Sequence, residues 1–158
     1  MHQRAMTPND DLMPFVLAAM NWRDDDVWTE QSVRADQQVA HYVTGWMRDG
    51  DAGVVAESDD AAIGAAWWRT FTSADPGYGY VADDVPELGL AVFVPHRGKG
   101  VARALMMGLV ERARAEGVPA LSLSVEDGNE AARRLYDGLG FVTVGRVGDS
   151  DTLLLRIA

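Results

Sequence analysis

The chain of 158 residues contains no cysteine, so disulfides, thiolate metal sites and a cysteine nucleophile are excluded. Basic residues are also scarce: 14 lysines and arginines stand against 24 aspartates and glutamates, which gives a formal net charge of −10. This acidic balance disfavours general binding to nucleic acids or to anionic membrane surfaces. We therefore expect neither a nucleic-acid nor a membrane partner, whereas a cationic substrate suits the charge.

Long hydrophobic runs are absent as well. The longest extends from Leu12 to Met20, which is far too short to cross a bilayer. The first residues, MHQRAMTPNDD, turn polar before the apolar core of a signal peptide can form. These features predict a soluble cytoplasmic protein. With 47% hydrophobic residues, no repeat and no shift in composition, residues 1–158 are predicted to form a single domain.

Hydrophobic periodicity and turn residues predict the secondary structure. Helices are expected over about 10–20, 30–47, 100–116 and 129–140, and strands over 53–58, 61–71, 87–94, 120–125, 141–147 and 152–158. Strand–helix–strand order in the second half of the chain predicts that strands 87–94 and 120–125 are parallel. The fold class is therefore mixed α/β, with helices on the faces of a mixed sheet.

Two glycines lie between a predicted strand and an amphipathic helix, in the stretch Arg97-Gly98-Lys99-Gly100. Glycines there weaken a helix start, so we expect a backbone that approaches a ligand closely. Free backbone N–H groups at such a turn bind anions, assisted by the helix dipole. A P-loop is excluded because the glycines are too close together and no Ser or Thr follows Lys99. A dinucleotide fingerprint is excluded because Arg103 replaces its third glycine. Once these two motifs are excluded, the turn is best interpreted as a binding site for a compact pyrophosphate.

Residues 97–102 read R-G-K-G-V-A, and a second motif, N-x-x-A-x-x-L-Y-x-x-x-G-F, is matched by Asn129, Ala132, Leu135, Tyr136, Gly140 and Phe141. Both resemble motifs of the GCN5-related N-acetyltransferase (GNAT) family, whose acetyl-CoA signature is [QR]-x-x-G-x-[GA]. The resemblance rests on specific motifs over about residues 87–145. Before them, only the predicted architecture is similar. It implies a central, twisted, mostly antiparallel mixed sheet of about six to seven strands with about four helices. It also implies acetyl-CoA as co-substrate, without a metal.

The resemblance implies roles for the residues of the first motif. The strand before the glycine turn would splay from its neighbour and pair its main chain with the pantetheine arm, and an N–H at its end would polarise the thioester carbonyl. An ordinary buried strand is the alternative. The cofactor-binding residues would be Leu90, Ala91 and Val92 on the strand, and Arg97, Gly98, Lys99, Gly100, Val101, Ala102 and Arg103 around the pyrophosphate.

In the second motif, the resemblance implies that Asn129 binds the pantetheine or cysteamine end, with Ala132 also among the cofactor-binding residues. A helix N-cap explains Asn129 equally well. Tyr136 would be the catalytic acid that meets the departing CoA sulfur, with packing beside Leu135 as the alternative. Full proton donation from a phenol to a thiolate is uphill by about 2 kcal/mol. The hydroxyl therefore either has a lowered pKa or stabilises the thiolate by hydrogen bonding.

An amine acceptor is mostly protonated at pH 7, so a base must act before it attacks the thioester. Glu87 is the first candidate for this catalytic role, because in similar enzymes a glutamate near here deprotonates the amine, often through water. A surface carboxylate is the alternative, and His96 and His41 are weaker candidates. Since no His is close in sequence to Ser122 or Ser124, a covalent acyl-enzyme has no support. We expect direct transfer in a ternary complex.

The acceptor pocket is expected to come from less diagnostic residues. Three aspartates in a loop, Asp24, Asp25 and Asp26, can attract an ammonium group or simply be solvated. The aromatic residues that can line a pocket or pack in the core are Trp67, Trp68, Phe71, Tyr78 and Tyr80.

The sequence thus predicts an enzyme: an acyltransferase that acetylates a primary amine of a small molecule or peptide. The alternatives are a protein N-terminus or lysine as acceptor, and a non-catalytic acyl-CoA-binding module. Related proteins often dimerise, so a homodimer is one expectation for the assembly.

Overall fold

The computed structural model describes residues 1–23, 25 and 27–157. Along these residues it has seven strands and five α-helices. Their bounds are β1 His2–Ala5, α1 Met13–Met20, α2 Glu30–Ala35, α3 Gln37–Ala40, β2 Ala52–Ser58, β3 Ala61–Arg69, β4 Glu87–Val92, α4 Val101–Ala115, β5 Ala120–Glu126, α5 Glu130–Gly138, β6 Val142–Val147 and β7 Ser150–Arg156. The strand order is β1-β2-β3-β4-β5-β7-β6, with β4 and β5 parallel. The predicted mixed, mostly antiparallel sheet is confirmed.

The chain divides into two compact units. The first, called the N-terminal unit here, comprises Met1–Arg69 and Gly89–Leu109. The second, called the C-terminal unit, comprises Thr70–Leu88 and the residues from Val110 onward. The strand β4 and the helix α4 each contribute residues to both units. The prediction of one domain over residues 1–158 stays a prediction.

The N-terminal unit is built around the β2–β3 hairpin, in which Ser58 pairs with Ala61. Asp59 and Asp60 form its turn with φ of 53° and 64°, which short polar side chains tolerate. The buried apolar cluster of the unit is contributed by α1, α2, α3, β2, β3 and β4, and by residues that flank these elements. The members of its buried cluster are Met6, Leu12, Met13, Phe15, Val16, Val33, Val39, Val43, Val55, Ala65, Trp67 and Ala91. Phe15 of α1 stacks on Phe93 with ring centroids 5.3 Å apart.

The predicted helix over residues 30–47 is wrong in its extent, because α2 and α3 are separate short helices. Asp36 separates them: its backbone is extended, with φ −101° and ψ 110°, and its carboxylate accepts from Gln38 N at 3.0 Å. A short polar side chain that bonds to a nearby amide competes with a continuing helix.

The first helix begins at Met13 and not at residue 10. Asp10 is used elsewhere, since it accepts hydrogen bonds from Thr7 N at 2.7 Å and from Arg4 at 2.7 and 2.9 Å. Pro14 falls in the first turn of α1, the position where its missing N–H costs least. The strand β1, which pairs with β2 from His2 to Ala5, was not predicted.

In the C-terminal unit, β5 pairs with β7 along its whole length, from Ala120 opposite Arg156 to Glu126 opposite Ser150. The strand β6 pairs with β7 on the other side, with a register shift between Thr143 and Gly145. The strands β4 and β5 pair in parallel, with Glu87 opposite Ser122.

Candidate active site

The turn between β4 and α4 requires glycine for its backbone conformation. After Val92, a short 3-10 turn at Val94–His96 leads into the turn, where Gly98 and Gly100 have φ of +75° and +81°. Residues with a side chain rarely adopt this left-handed region. A Cβ at either glycine would have no neighbour within 4 Å, so the conformation and not the packing selects glycine.

The main-chain amides of this turn are available to a ligand. In the part of the chain that the structure describes, the six amides from Gly98 to Arg103 donate to no main-chain carbonyl, and Ala104 N is the next donor, to Gly100 O at 3.1 Å. No acidic residue lies in the first turn of α4, and Lys99 and Arg103 are exposed. Free amides, a helix N-terminus and two cations together favour a bound anion.

The side chain of Arg97 connects this turn to the end of β4. Its Nε donates to Val92 O at 2.9 Å, while its main-chain N donates to Val94 O at 3.2 Å. The guanidinium therefore holds the turn against the strand that precedes it. Sequence reasoning missed this contact, because a signature such as [QR]-x-x-G shows which side chain is present but not what it bonds to.

The strand β4 places Leu90, Ala91 and Val92 directly before the turn. Ala91 and Val92 are buried and Leu90 is half-buried. Gly89 precedes them because the ring of Trp67 lies on its main chain: a Cβ at this glycine would be 2.4 Å from the ring. Their proposed main-chain role does not depend on the side chains, so burial is compatible with it.

Asn129 is the N-cap of α5, where its Oδ1 accepts from Ala132 N at 3.3 Å. The N-cap interpretation is therefore confirmed. The same contact uses the amide of Ala132, which leaves this residue its side chain for any further contact. The Nδ2 of Asn129 donates to no residue among those described. One side chain can thus cap the helix with its oxygen and bind a ligand with its nitrogen.

Tyr136 is buried on α5, with its ring at 60° to that of Phe141 and 5.5 Å between centroids. Burial raises the pKa of this phenol well above its ordinary value, because desolvation penalises the phenolate. This direction favours the second predicted alternative, hydrogen bonding to the thiolate, over a lowered pKa. The protonated hydroxyl suits hydrogen-bond donation to a thiolate better than full proton transfer.

Glu87 is the first residue of β4 and is only 6% exposed, so the alternative of a surface carboxylate is wrong. Carboxylates are rarely buried to this degree. The two weaker base candidates differ from it. His96 ends the 3-10 turn beside Arg97, and His41 lies in a turn with its ring edge-on to Tyr42 at 4.7 Å.

The aromatic candidates for the acceptor pocket divide into two groups. Trp67, Trp68 and Phe71 are buried, and Trp68 donates from its indole to Gly50 O at 2.9 Å, so all three pack in the interior. Tyr78 is 38% exposed, and the Tyr80 hydroxyl donates to Asp83 at 2.5 Å. Of the three loop aspartates, Asp25 is exposed, while Asp24 and Asp26 lie outside the described residues.

Along the residues that the structure describes, no helix combines the length and apolar character that crossing a bilayer requires. Within the same residues, no group of three or more His, Asp or Glu side chains is arranged to hold a metal ion.

The fold, with its glycine turn between β4 and α4, is that of acetyltransferases. A Salmonella typhimurium protein solved with its cofactor acetyl-CoA superposes with a TM-score of 0.73 at 22% identity, covering 100% of this chain and 94% of that one. The acetyltransferase (GNAT) family model matches residues 16–141. The chain belongs to this family, so the predicted family, fold and enzyme class are confirmed.

Two curated relatives illustrate the range of the family. The L-amino acid N-acyltransferase of Escherichia coli is 28% identical over 121 residues, which is 77% of this chain and 67% of that protein. A mycothiol acetyltransferase of Nocardiopsis dassonvillei is 31% identical over 143 residues, which is 82% of this chain and 42% of that protein. The chain thus spans about two thirds of the first relative and less than half of the second.

Proposed function

We propose that the protein transfers an acetyl group from acetyl-CoA to a primary amine of a small molecule or peptide, by direct attack in a ternary complex. The observation that carries the proposal is the row of six amides from Gly98 to Arg103 at the start of α4, which donate to no main-chain carbonyl of the described residues. A diphosphate fits these donors, since the two left-handed glycines leave open space where a Cβ would stand. Lys99 and Arg103 add charge of the matching sign.

Acetyl-CoA, when bound, supplies an acetyl group activated as a thioester. On the side of the protein, main-chain groups of Leu90, Ala91 and Val92 bind the pantetheine arm, and an N–H of this strand polarises the thioester carbonyl. The free Nδ2 of Asn129 donates to the pantetheine or cysteamine end. Arg97 acts on the turn through its bond to Val92 O and keeps the amides oriented.

Two buried side chains of the C-terminal unit carry the proton chemistry. Glu87 is the base that takes a proton from the acceptor ammonium, for which its burial and the acidic surface of the protein are both favourable. Tyr136 donates a hydrogen bond to the sulfur as negative charge develops there, because its raised pKa keeps the hydroxyl protonated. Neither residue forms a covalent intermediate.

The relatives named for an amino acid and for mycothiol support a small-molecule acceptor. We assign the exposed ring of Tyr78 and the Tyr80–Asp83 pair to the acceptor side, because both belong to the segment that leads into Glu87. Protein lysines and N-termini remain second candidates, favoured by no observation of their own.

Two assays in sequence test the proposal. Acetyl-CoA is expected to raise the melting temperature, and an amine panel is expected to release CoA thiol: L-methionine, L-phenylalanine, tyramine, spermidine, and peptides with a free N-terminus or lysine. A Tyr136→Phe variant must lose most of the thiol release and keep the thermal shift. Binding without turnover on the whole panel identifies a non-catalytic acyl-CoA-binding module. The absence of any thermal shift overturns the proposal.

A further inference from the structure

Ser122 presents a buried hydroxyl that the proposed function does not use. The residue lies in the middle of β5 and is 0% exposed. Its Oγ has no hydrogen-bond partner among the residues that the structure describes. A buried hydroxyl that is left unpaired destabilises a fold, and native structures rarely keep one without a use for it. The group therefore points to a ligand that completes its hydrogen bonding.

The neighbours of Ser122 identify what that ligand touches. On one side Ser122 pairs with Leu154 of β7, and on the other with Glu87 of β4. Register partners on adjacent strands lie on the same face of the sheet. Leu154 is apolar, so Glu87 is the polar residue that shares this face across the strand. Ser122 N donates to Pro86 O at 3.0 Å, which fixes the register at this point.

Glu87 and Ser122 are one strand spacing apart, about 4.8 Å. The hydroxyl and the carboxylate are not bonded to each other directly. A water molecule needs two or more polar partners to occupy a buried position. Here a hydroxyl and a carboxylate on adjacent strands supply two.

We propose that Ser122 is a positioning residue for proton transfer, whose hydroxyl holds a water molecule against Glu87 in the path of the proton from the acceptor ammonium. The inference rests on the proposed function, with Glu87 as base. The ammonium nitrogen gives a proton to the water oxygen, and a proton of the water passes to the carboxylate. The products are a neutral amine, a water molecule and a protonated Glu87, so no further reactant is needed.

The test compares Ser122→Ala with a matched control, Ser124→Ala. Ser124 lies on the same strand and the same face but pairs with Thr152 and not with Glu87. Alanine is tolerated on this face, since Ala120 is itself buried there. The acceptor is the panel amine that the wild-type enzyme acetylates fastest. Turnover is measured at pH 7 and near pH 9.5, together with the melting temperature and the thermal shift by acetyl-CoA.

For Ser122→Ala we expect about tenfold slower turnover at pH 7, as for the loss of one hydrogen bond in the path of the proton. Near pH 9.5 the loss should shrink to less than about threefold, because much of the acceptor is already neutral. The melting temperature should hardly change, since alanine is tolerated on this face, and the shift by acetyl-CoA should not change. Ser124→Ala should match the wild type throughout.

Several results would overturn the inference. If Ser122→Ala turns over at the wild-type rate at pH 7, the hydroxyl has no role in proton transfer, while the proposed function is unaffected. An equal loss at both pH values, or a lower melting temperature, means a structural role instead. If the wild-type enzyme acetylates no amine of the panel, the proposed function fails, and this inference fails with it.

Discussion

The glycine turn of the N-terminal unit and the helix α5 of the C-terminal unit offer a ligand different kinds of groups. The turn offers main-chain amides, from Gly98 to Arg103, whose direction is set by two left-handed glycines. The helix offers side chains, the Nδ2 of Asn129 and the hydroxyl of Tyr136. In the proposed function, the role of the turn depends on the backbone conformation that glycine permits, and the role of the helix depends on two particular side chains.

This difference explains why the two regions are not equally easy to interpret. No structural requirement of α4 itself selects two left-handed glycines before its first turn, so their presence points to a ligand. Asn129 and Tyr136 have structural tasks as well, since one caps α5 and the other packs on Phe141. A functional role for them has to be separated from these tasks by experiment.

The largest effect is expected from a Gly98→Ala/Gly100→Ala double variant. Each alanine held in the left-handed region costs about 1–2 kcal/mol. The exposed turn should therefore adopt another backbone conformation, in which its N–H groups point in other directions. The Kd for acetyl-CoA, measured by calorimetry, should rise about 100-fold. Gly117→Ala is the control, because Gly117 has φ +71° with open space around it and ends α4. It should lower stability and leave the Kd unchanged; an equal loss of affinity in both variants would contradict the account.

The next effect concerns the hydroxyl of Tyr136. Tyr136→Phe keeps the buried ring and its contact with Phe141, so the melting temperature and the Kd for acetyl-CoA should hardly change. The kcat should fall about 10- to 100-fold, as for the loss of a hydrogen bond to a charged atom. A steady-state assay of thiol release checks this. An unchanged kcat would mean that Tyr136 only packs in the interior. The contribution of a functional hydroxyl by α5 would then be contradicted.

A smaller effect is expected from two variants of Asn129 that separate the cap from the ligand contact. Asn129→Ser keeps an N-cap oxygen and removes the amide nitrogen, whereas Asn129→Ala removes both. Both should weaken acetyl-CoA binding about fivefold, but only Asn129→Ala should lose about 1 kcal/mol of stability. Calorimetry and chemical denaturation measure the two quantities. If Asn129→Ser binds as well as the wild type, the residue is a helix cap only.

The smallest effect is on stability at alkaline pH. Burial raises the pKa of Tyr136, so the folded protein retains this proton where the unfolded chain, with an ordinary tyrosine, releases it from about pH 10 upward. Stability must then decrease above about pH 10, since the unfolded state binds fewer protons. Tyr136→Phe should lose less stability than the wild type between pH 9 and pH 11 in denaturant titrations. Parallel curves for the two proteins would contradict the burial argument.

Local signals predicted the elements around the candidate site well. The hairpin with Asp59 and Asp60 at its turn, the helix after Gly100 and the end of α4 at Gly117 all follow from turn residues and periodicity. The break at Asp36 was missed because an aspartate is acceptable in an exposed helix, and only its capping bond to Gln38 shows that the helix ends. The strand β1 was missed because four mostly exposed residues carry no periodic pattern.

The burial of Glu87 and Ser122 could not be predicted from the sequence, for a related reason. Glu87 and Ser122 are neighbours only through the parallel pairing of β4 with β5, which brings together residues 35 positions apart. The alternation in ALSLSV places Ser122 and Ser124 on one face, yet it cannot show that one is fully buried opposite a carboxylate. The bond from Arg97 to Val92 O likewise depends on the shape of the turn.

The most direct measurement is a titration of the ¹⁵N-labelled protein with coenzyme A, followed through the backbone amide resonances. The account predicts that the amides of Gly98 to Arg103 move first and furthest, and that the glycine double variant abolishes these shifts while the Gly117→Ala variant keeps them. Coenzyme A that binds without moving these amides would contradict the claim that they hold its diphosphate.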